Sequence, residues 1–150
     1  MKHCFDASVA VKWFKDGEIF EEEASELFRR IKDLELEAVG NEWILLEVVR
    51  ALVKVGYSKE KIDEAFEVLS NLFTMGIITR IPVSTTLPLA KNLEVELSLY
   101  AADAVHLATA IVSGASILWT EDKHLHKKGV KKRVSKNELR ICSLAEVSEK

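Results

Sequence analysis

The sequence predicts an α/β domain with a parallel sheet at its centre and helices on both faces. Three observations carry that expectation. Short apolar runs alternate with longer amphipathic stretches along all 150 residues. The stretches between runs are long enough for crossover connections, which parallel strands require. With only 2 prolines, the helices can run largely unbroken.

His3–Asp6 is a short run that ends on an acid, and a short helix is expected from Ser8 to Phe14. Phe20, Ala24, Leu27, Phe28 and Ile31 recur at three- and four-residue spacing, the mark of one helix face. Leu36–Val39 is the second strand, closed by Gly40. Asn41 is placed to cap a helix running to about Val55, where Gly56 stops it. Ser58 caps the next helix, whose stripe is Ile62, Ala65, Phe66, Leu69, Leu72 and Phe73, ended by Gly76. Ile77–Val83 is the third strand. Helices are expected near Leu87–Leu97 and Ala101–Ser113, the second ended by Gly114. Ser116–Thr120 is the fourth strand and Leu139–Ser143 the fifth. No repeat or low-complexity linker interrupts the pattern, so a single domain over 1–150 is expected.

Composition narrows the function classes. No apolar run approaches the roughly 20 residues that span a bilayer. The start, with Asp6 already in place and no small-residue cleavage site, does not read as a signal peptide, so a cytoplasmic protein is expected. Two cysteines are too few for a disulfide framework; Cys4 and Cys142, with strand four between their strands, are expected to be reduced core thiols. The net charge of −3 conceals an asymmetry. The segment from Lys123 to Arg140 carries +7 and the remainder −10. Lys123, Lys127, Lys128, Lys131, Lys132 and Arg133 in that segment suit a polyanion such as RNA, or form a solvated face. Trp13, Trp43 and Trp119 are expected to serve packing or an interface between copies, and His124 and His126 to belong to the solvated basic segment.

The acids do not scatter evenly. Asp6 ends strand one, and Asp122 lies just past strand four; in an open parallel sheet ligands bind outside the carboxyl ends of the strands. Glu47 sits within the apolar stripe of Ile44, Val48, Ala51, Leu52 and Val55. Asp103 shares a face with Leu107, Ala110 and Ile111. A carboxylate on a core-facing stripe is costly unless it is paired, protonated or bound to a cation. Arg50 is the expected partner of Glu47, and His106 the one nearby candidate for Asp103. Each acid alone has an ordinary reading; Asp6, for instance, can cap the helix that follows it. Together the four suggest one pocket, which a hard divalent cation would reconcile.

The same residues carry a family resemblance. Phe5-Asp6-Ala7-Ser8, Glu47-Val48-Val49-Arg50-Ala51-Leu52, Ala102-Asp103-Ala104-Val105-His106-Leu107-Ala108-Thr109-Ala110 and Thr120-Glu121-Asp122 follow one another in the order and separation of a PIN domain. More narrowly, they resemble the VapC-type toxin ribonucleases. The resemblance implies a three-layer α/β/α sandwich with sheet order 3-2-1-4-5. It also implies a Mg²⁺- or Mn²⁺-dependent endoribonuclease, the toxin of a type II toxin–antitoxin pair, which forms homodimers and is inhibited by a cognate antitoxin. By that pattern Asp6, Glu47, Asp103 and Asp122 are the catalytic acids, and Ser8 and Thr120 are supporting hydroxyls. The expected division of labour has Asp6, Asp103 and Asp122 holding the metal while Glu47 orients the attacking water. A phosphoacceptor signalling domain is disfavoured, because strand three ends in Pro82-Val83-Ser84 without an Asp. The alternatives that remain are a catalytically silent PIN-like module that binds RNA or protein, and cleavage of DNA, since nothing in the sequence identifies a 2′-hydroxyl reader.

Overall fold

The computed structural model describes residues 1–149, with side chains through Val147. Five parallel strands form one sheet: β1 (Lys2–Phe5), β2 (Glu37–Gly40), β3 (Ile78–Arg80), β4 (Ile117–Trp119) and β5 (Arg140–Cys142). Their order is β3-β2-β1-β4-β5, as the resemblance implies. The chain builds outward from β1 to β2 and β3, then returns to place β4 on the other side of β1. Strand order therefore reverses between β1 and β4, where Phe5 lies opposite Trp119 in register.

Among the described residues, seven α-helices flank the sheet: α1 (Ala7–Ala10), α2 (Glu21–Lys32), α3 (Trp43–Lys54), α4 (Lys59–Thr74), α5 (Val83–Leu97), α6 (Ala101–Val112) and α7 (Lys128–Ser135). Successive strand residues point to opposite faces, and each face has its own core. Phe5, Ala38, Ile117 and Trp119 pack with Leu27 of α2, Val48 of α3 and Leu69 of α4. Cys4, Val39, Leu118 and Ile141 pack with Leu93 of α5, Leu107 of α6 and Val134 of α7. The result is three layers, helix on sheet on helix.

The capping residues act largely as their types predict. The Ser58 hydroxyl accepts from the Lys61 amide at the start of α4. Gly56 takes a φ of +81 just past α3, the left-handed turn that few other residues adopt without strain. Phe20 departs from the expected stripe: it stands at the cap of α2 with φ +63 and is partly exposed.

Two further boundaries differ. β3 ends at Arg80 and α5 begins at Val83, earlier than the apolar run suggests. Pro82 is extended and has no N–H to lose, and the Glu42 carboxylate accepts from the Val83 amide at 2.8 Å, so the helix gains a start signal from another part of the chain. Helix α7 lies in the basic segment, for which the apolar pattern predicts none. Its Val130 and Val134 are buried one turn apart, while Lys128, Lys131 and Lys132 face solvent. Cys4 and Cys142 are free and buried, and burial raises both thiol pKa values. Among the described residues, no helix is long and apolar enough to cross a membrane.

Candidate active site

Asp6 follows β1 directly and caps α1. Its Oδ1 accepts from the Ser8 amide at 3.0 Å and from the Ser8 hydroxyl at 2.5 Å. Its Oδ2 accepts from the Thr120 hydroxyl at 2.5 Å. The capping role and the site role thus fall on one side chain. Ser8 and Thr120 are 112 residues apart in sequence and 3.3 Å apart at their hydroxyls, because parallel pairing brings the ends of β1 and β4 together. The Ser8 hydroxyl oxygen accepts from the Glu121 amide at 2.8 Å, and that of Thr120 from the Asp122 amide at 3.0 Å. These bonds lace the loop after β4 to the carboxylate after β1. His126 donates from Nε2 to the Thr120 carbonyl at 2.8 Å, and His124 packs edge-on against Tyr100. Neither histidine is part of a simply solvated strip.

Asp103, in the first turn of α6, is 8% exposed and lies near Asp122, which acts on its ionisation. Its pKa is pushed up to about 7, first by burial and then by Asp122 and the charge of Asp6; only a protonated His106 acts the other way. Asp6 is also raised, chiefly by burial; His106 when protonated, and the hydrogen bonds from Ser8 and Thr120, oppose that rise. Two carboxyls that resist ionisation beside a third acid form a cluster short of positive charge. Among the described residues, no lysine or arginine pairs with Asp6, Asp103 or Asp122.

Glu47 lies elsewhere in this arrangement. Its Oε1 is 2.5 Å from Nε2 of His106 on α6, and the expected bond to Arg50 is not formed. The reason is tertiary: α6 packs beside the sheet end and offers a buried imidazole to the same face of α3. The structure thus brings Asp6, Asp103 and Asp122 near one another, with Ser8 and Thr120 at Asp6, and sets Glu47 apart on His106, which is within electrostatic reach of Asp6 and Asp103. Burial lowers the pKa of His106, but the Glu47 hydrogen bond and the charges of Glu47, Asp6 and Asp103 outweigh it and raise it overall. Nδ1 of His106 meets the side chain of Asn41, 3.1 Å away. Helical spacing assigns Asn41 only a capping role; the polar Asn41 and His106 on otherwise apolar surroundings are the signal that points further.

The donor chemistry suits a hard divalent cation, since all three acids offer oxygen and lack a basic partner. Among the described residues, no group of three His, Cys, Asp or Glu side chains is spaced to hold a metal ion. Mg²⁺ commonly takes one or two carboxylates and keeps several waters, so it does not require a cluster of three.

The basic residues divide in two. Lys123, Lys127, Lys128, Lys131 and Lys132 are exposed. Arg133 is bound to Glu96 at 2.8 Å and to Asn137 at 3.2 Å. Trp13 stacks on Phe28 within the core, and Trp119 is fully buried with its indole donating to His3. Both are packing residues, whereas Trp43 is 47% exposed on α3.

A doubly wound parallel domain with acids gathered at its topological switch point belongs to the class that handles ligands at the carboxyl ends of its strands. The PIN domain family model matches residues 3–131, and the chain belongs to that family. PIN domains are generally nucleases, hydrolases of phosphodiester bonds. No curated protein matches the chain.

Proposed function

We propose that the protein is a metal-dependent endoribonuclease of the VapC type, the toxin of a type II pair. The observation that carries this reading is the meeting of Asp6, Asp103 and Asp122, drawn from three distant stretches, without a basic partner among the described residues. Asp103 and Asp122 would hold Mg²⁺ or Mn²⁺, with Asp6 beside them. When bound, the cation supplies charge relief on the phosphate and acidifies a water. Glu47 would accept a proton from an attacking water, and Ser8 and Thr120 keep Asp6 in place. The exposed lysines, Lys123, Lys127, Lys128, Lys131 and Lys132, attract the flanking phosphates that the acids would repel. Arg133 is committed to Glu96 and adds less. The toxin reading entails an RNA substrate, a cognate antitoxin, a homodimer and a cytoplasmic location.

Purified protein incubated with single-stranded RNA and Mg²⁺, with and without EDTA, tests the activity. Cleavage that EDTA abolishes supports the proposal. RNA binding without metal-dependent cleavage would instead identify a silent binding module.

A further inference from the structure

The bond between Glu47 and His106 belongs to a longer chain of hydrogen bonds whose polarity can be worked out atom by atom. Asn41 follows β2 and its side chain is completely buried. Its Oδ1 accepts from the Trp43 amide at 2.9 Å, at the start of α3. A backbone N–H only donates, so this bond fixes which end of the amide is oxygen. The nitrogen end, Nδ2, therefore faces Thr109 Oγ1 at 3.0 Å and His106 Nδ1 at 3.1 Å. Thr109 spends its own hydroxyl hydrogen on the Val105 carbonyl at 2.7 Å, so towards Asn41 it can only accept. Both amide hydrogens are thus used, one on Thr109 and one on His106.

A ring nitrogen that receives a hydrogen bond carries no hydrogen of its own. His106 Nδ1 is therefore the bare nitrogen, and the imidazole's single proton sits on Nε2, facing Glu47 Oε1. The neighbouring acids favour a second proton on the ring, but at Nδ1 it would point at the Asn41 N–H, donor against donor.

Resting on the nuclease reading above, we propose that Asn41 and His106 are positioning residues for Glu47. Asn41 sets the tautomer of His106, and neutral His106 holds the Glu47 carboxylate by one oxygen without neutralising it. A cationic partner such as Arg50 would orient Glu47 equally well but weaken it as a proton acceptor, because a nearby positive charge lowers a carboxylate's pKa. Glu47 stays about a quarter exposed, so a water can reach it. The arrangement parallels the carboxylate–histidine pairs that orient groups around hydrolytic centres, where removing an outer partner commonly costs about 10–100-fold in activity.

Two measurements test the relay. Long-range ¹H–¹⁵N spectra of the histidine rings read the protonation of each nitrogen without any turnover. The expected wild-type pattern for His106 is bare Nδ1 and protonated Nε2. Asn41→Asp keeps an oxygen for the Trp43 amide, and so keeps the cap, but places an acceptor opposite Nδ1; it should move a proton onto that nitrogen. The second measurement is cleavage of a labelled single-stranded RNA in Mg²⁺. His106→Asn removes the donor to Glu47 and should lower kcat by about 10–100-fold with little change in KM. His106→Gln, whose amide nitrogen can stand near the place of Nε2, should recover most of that activity. A protonated Nδ1 in an active wild type, or equal activity of the Gln and Asn variants, overturns the relay alone. Absence of cleavage by the wild type overturns the nuclease reading, and the catalytic role of the relay with it.

Discussion

The acids of α2 and the acids at the carboxyl end of the sheet live under opposite electrostatic conditions. Arg29 donates to Glu26, Asp33 and Glu35 at 2.9 Å each, and its bonds pull the pKa values of Glu26 and Glu35 below the ordinary range. Asp6 and Asp103 are buried beside Asp122, and their pKa values move up. The first group is solvated and neutralised within one helix and the turn that follows it. The second is assembled from distant segments and has no basic partner among the described residues. A fold that pairs acids with bases so readily on its surface leaves Asp6 and Asp103 buried at the sheet end with no basic partner among the described residues, which supports the cation proposed above.

Exchanging one interior acid for its neutral isostere should have the largest effect. Asp103→Asn should lower Mg²⁺-dependent RNA cleavage by at least about 10²-fold, the cost of removing several kcal/mol of charge stabilisation. Single-turnover rates on labelled RNA check this, with Arg29→Ala as the comparison that should retain full activity.

A second, smaller effect concerns the basic segment. Replacing Lys127, Lys128, Lys131 and Lys132 together by Ala should weaken RNA binding. It should also flatten the salt dependence by up to about 0.7 in log–log slope for each phosphate no longer neutralised. Fluorescence anisotropy at several salt concentrations reads both quantities; an unchanged slope would make α7 a purely solvated face.

Stability should respond to pH with opposite signs in the two regions. The raised pKa of Asp103 means that its protonated form is favoured in the folded state. Its contribution is fully present below the unfolded carboxyl value and is lost as pH rises through about 7. Asp103→Asn should therefore stabilise the metal-free protein at pH 8, by about 1–2 kcal/mol once solvent screening is allowed for, and change little near pH 4. Thermal unfolding at the two pH values measures it. Glu26 and Glu35, whose pKa values are depressed, contribute stability above the unfolded value and lose it as pH falls through the folded one. The smallest expected effect is that of Arg29→Ala: a slight drop in Tm at neutral pH that shrinks further with added salt, because the network is exposed.

Much of this contrast was legible in the residues, for a definite reason. A short apolar run followed by Asp, as at Phe5-Asp6, sets an acid at a strand end whatever the rest of the fold does. Glu47 and Asp103 stood out because helical period placed them among apolar neighbours. What stayed hidden depends on packing between distant parts of the chain. Arg50 is Glu47's neighbour by helix period, yet the partner is His106, 59 residues away, because α3 and α6, on opposite faces of the sheet, bring these two side chains together. The Asn41 cap could be anticipated from its own helix, but the use of its amide nitrogen could not. In α7, Lys128, Lys131, Lys132 and Arg133 surround two valines and mask a stripe only one turn long. Likewise, the start of α5 rests on the Glu42 carboxylate, 41 residues from the amide it caps.

Calorimetric titration of the metal-free protein with Mg²⁺ at pH 8, wild type against Asp103→Asn and Asp122→Asn, reaches the central point most directly. Saturable binding to the wild type that either substitution removes is the expected result. Wild-type protein that takes up no Mg²⁺, or variants that bind it as well as the wild type does, would contradict the assignment of the sheet-end acids to a cation.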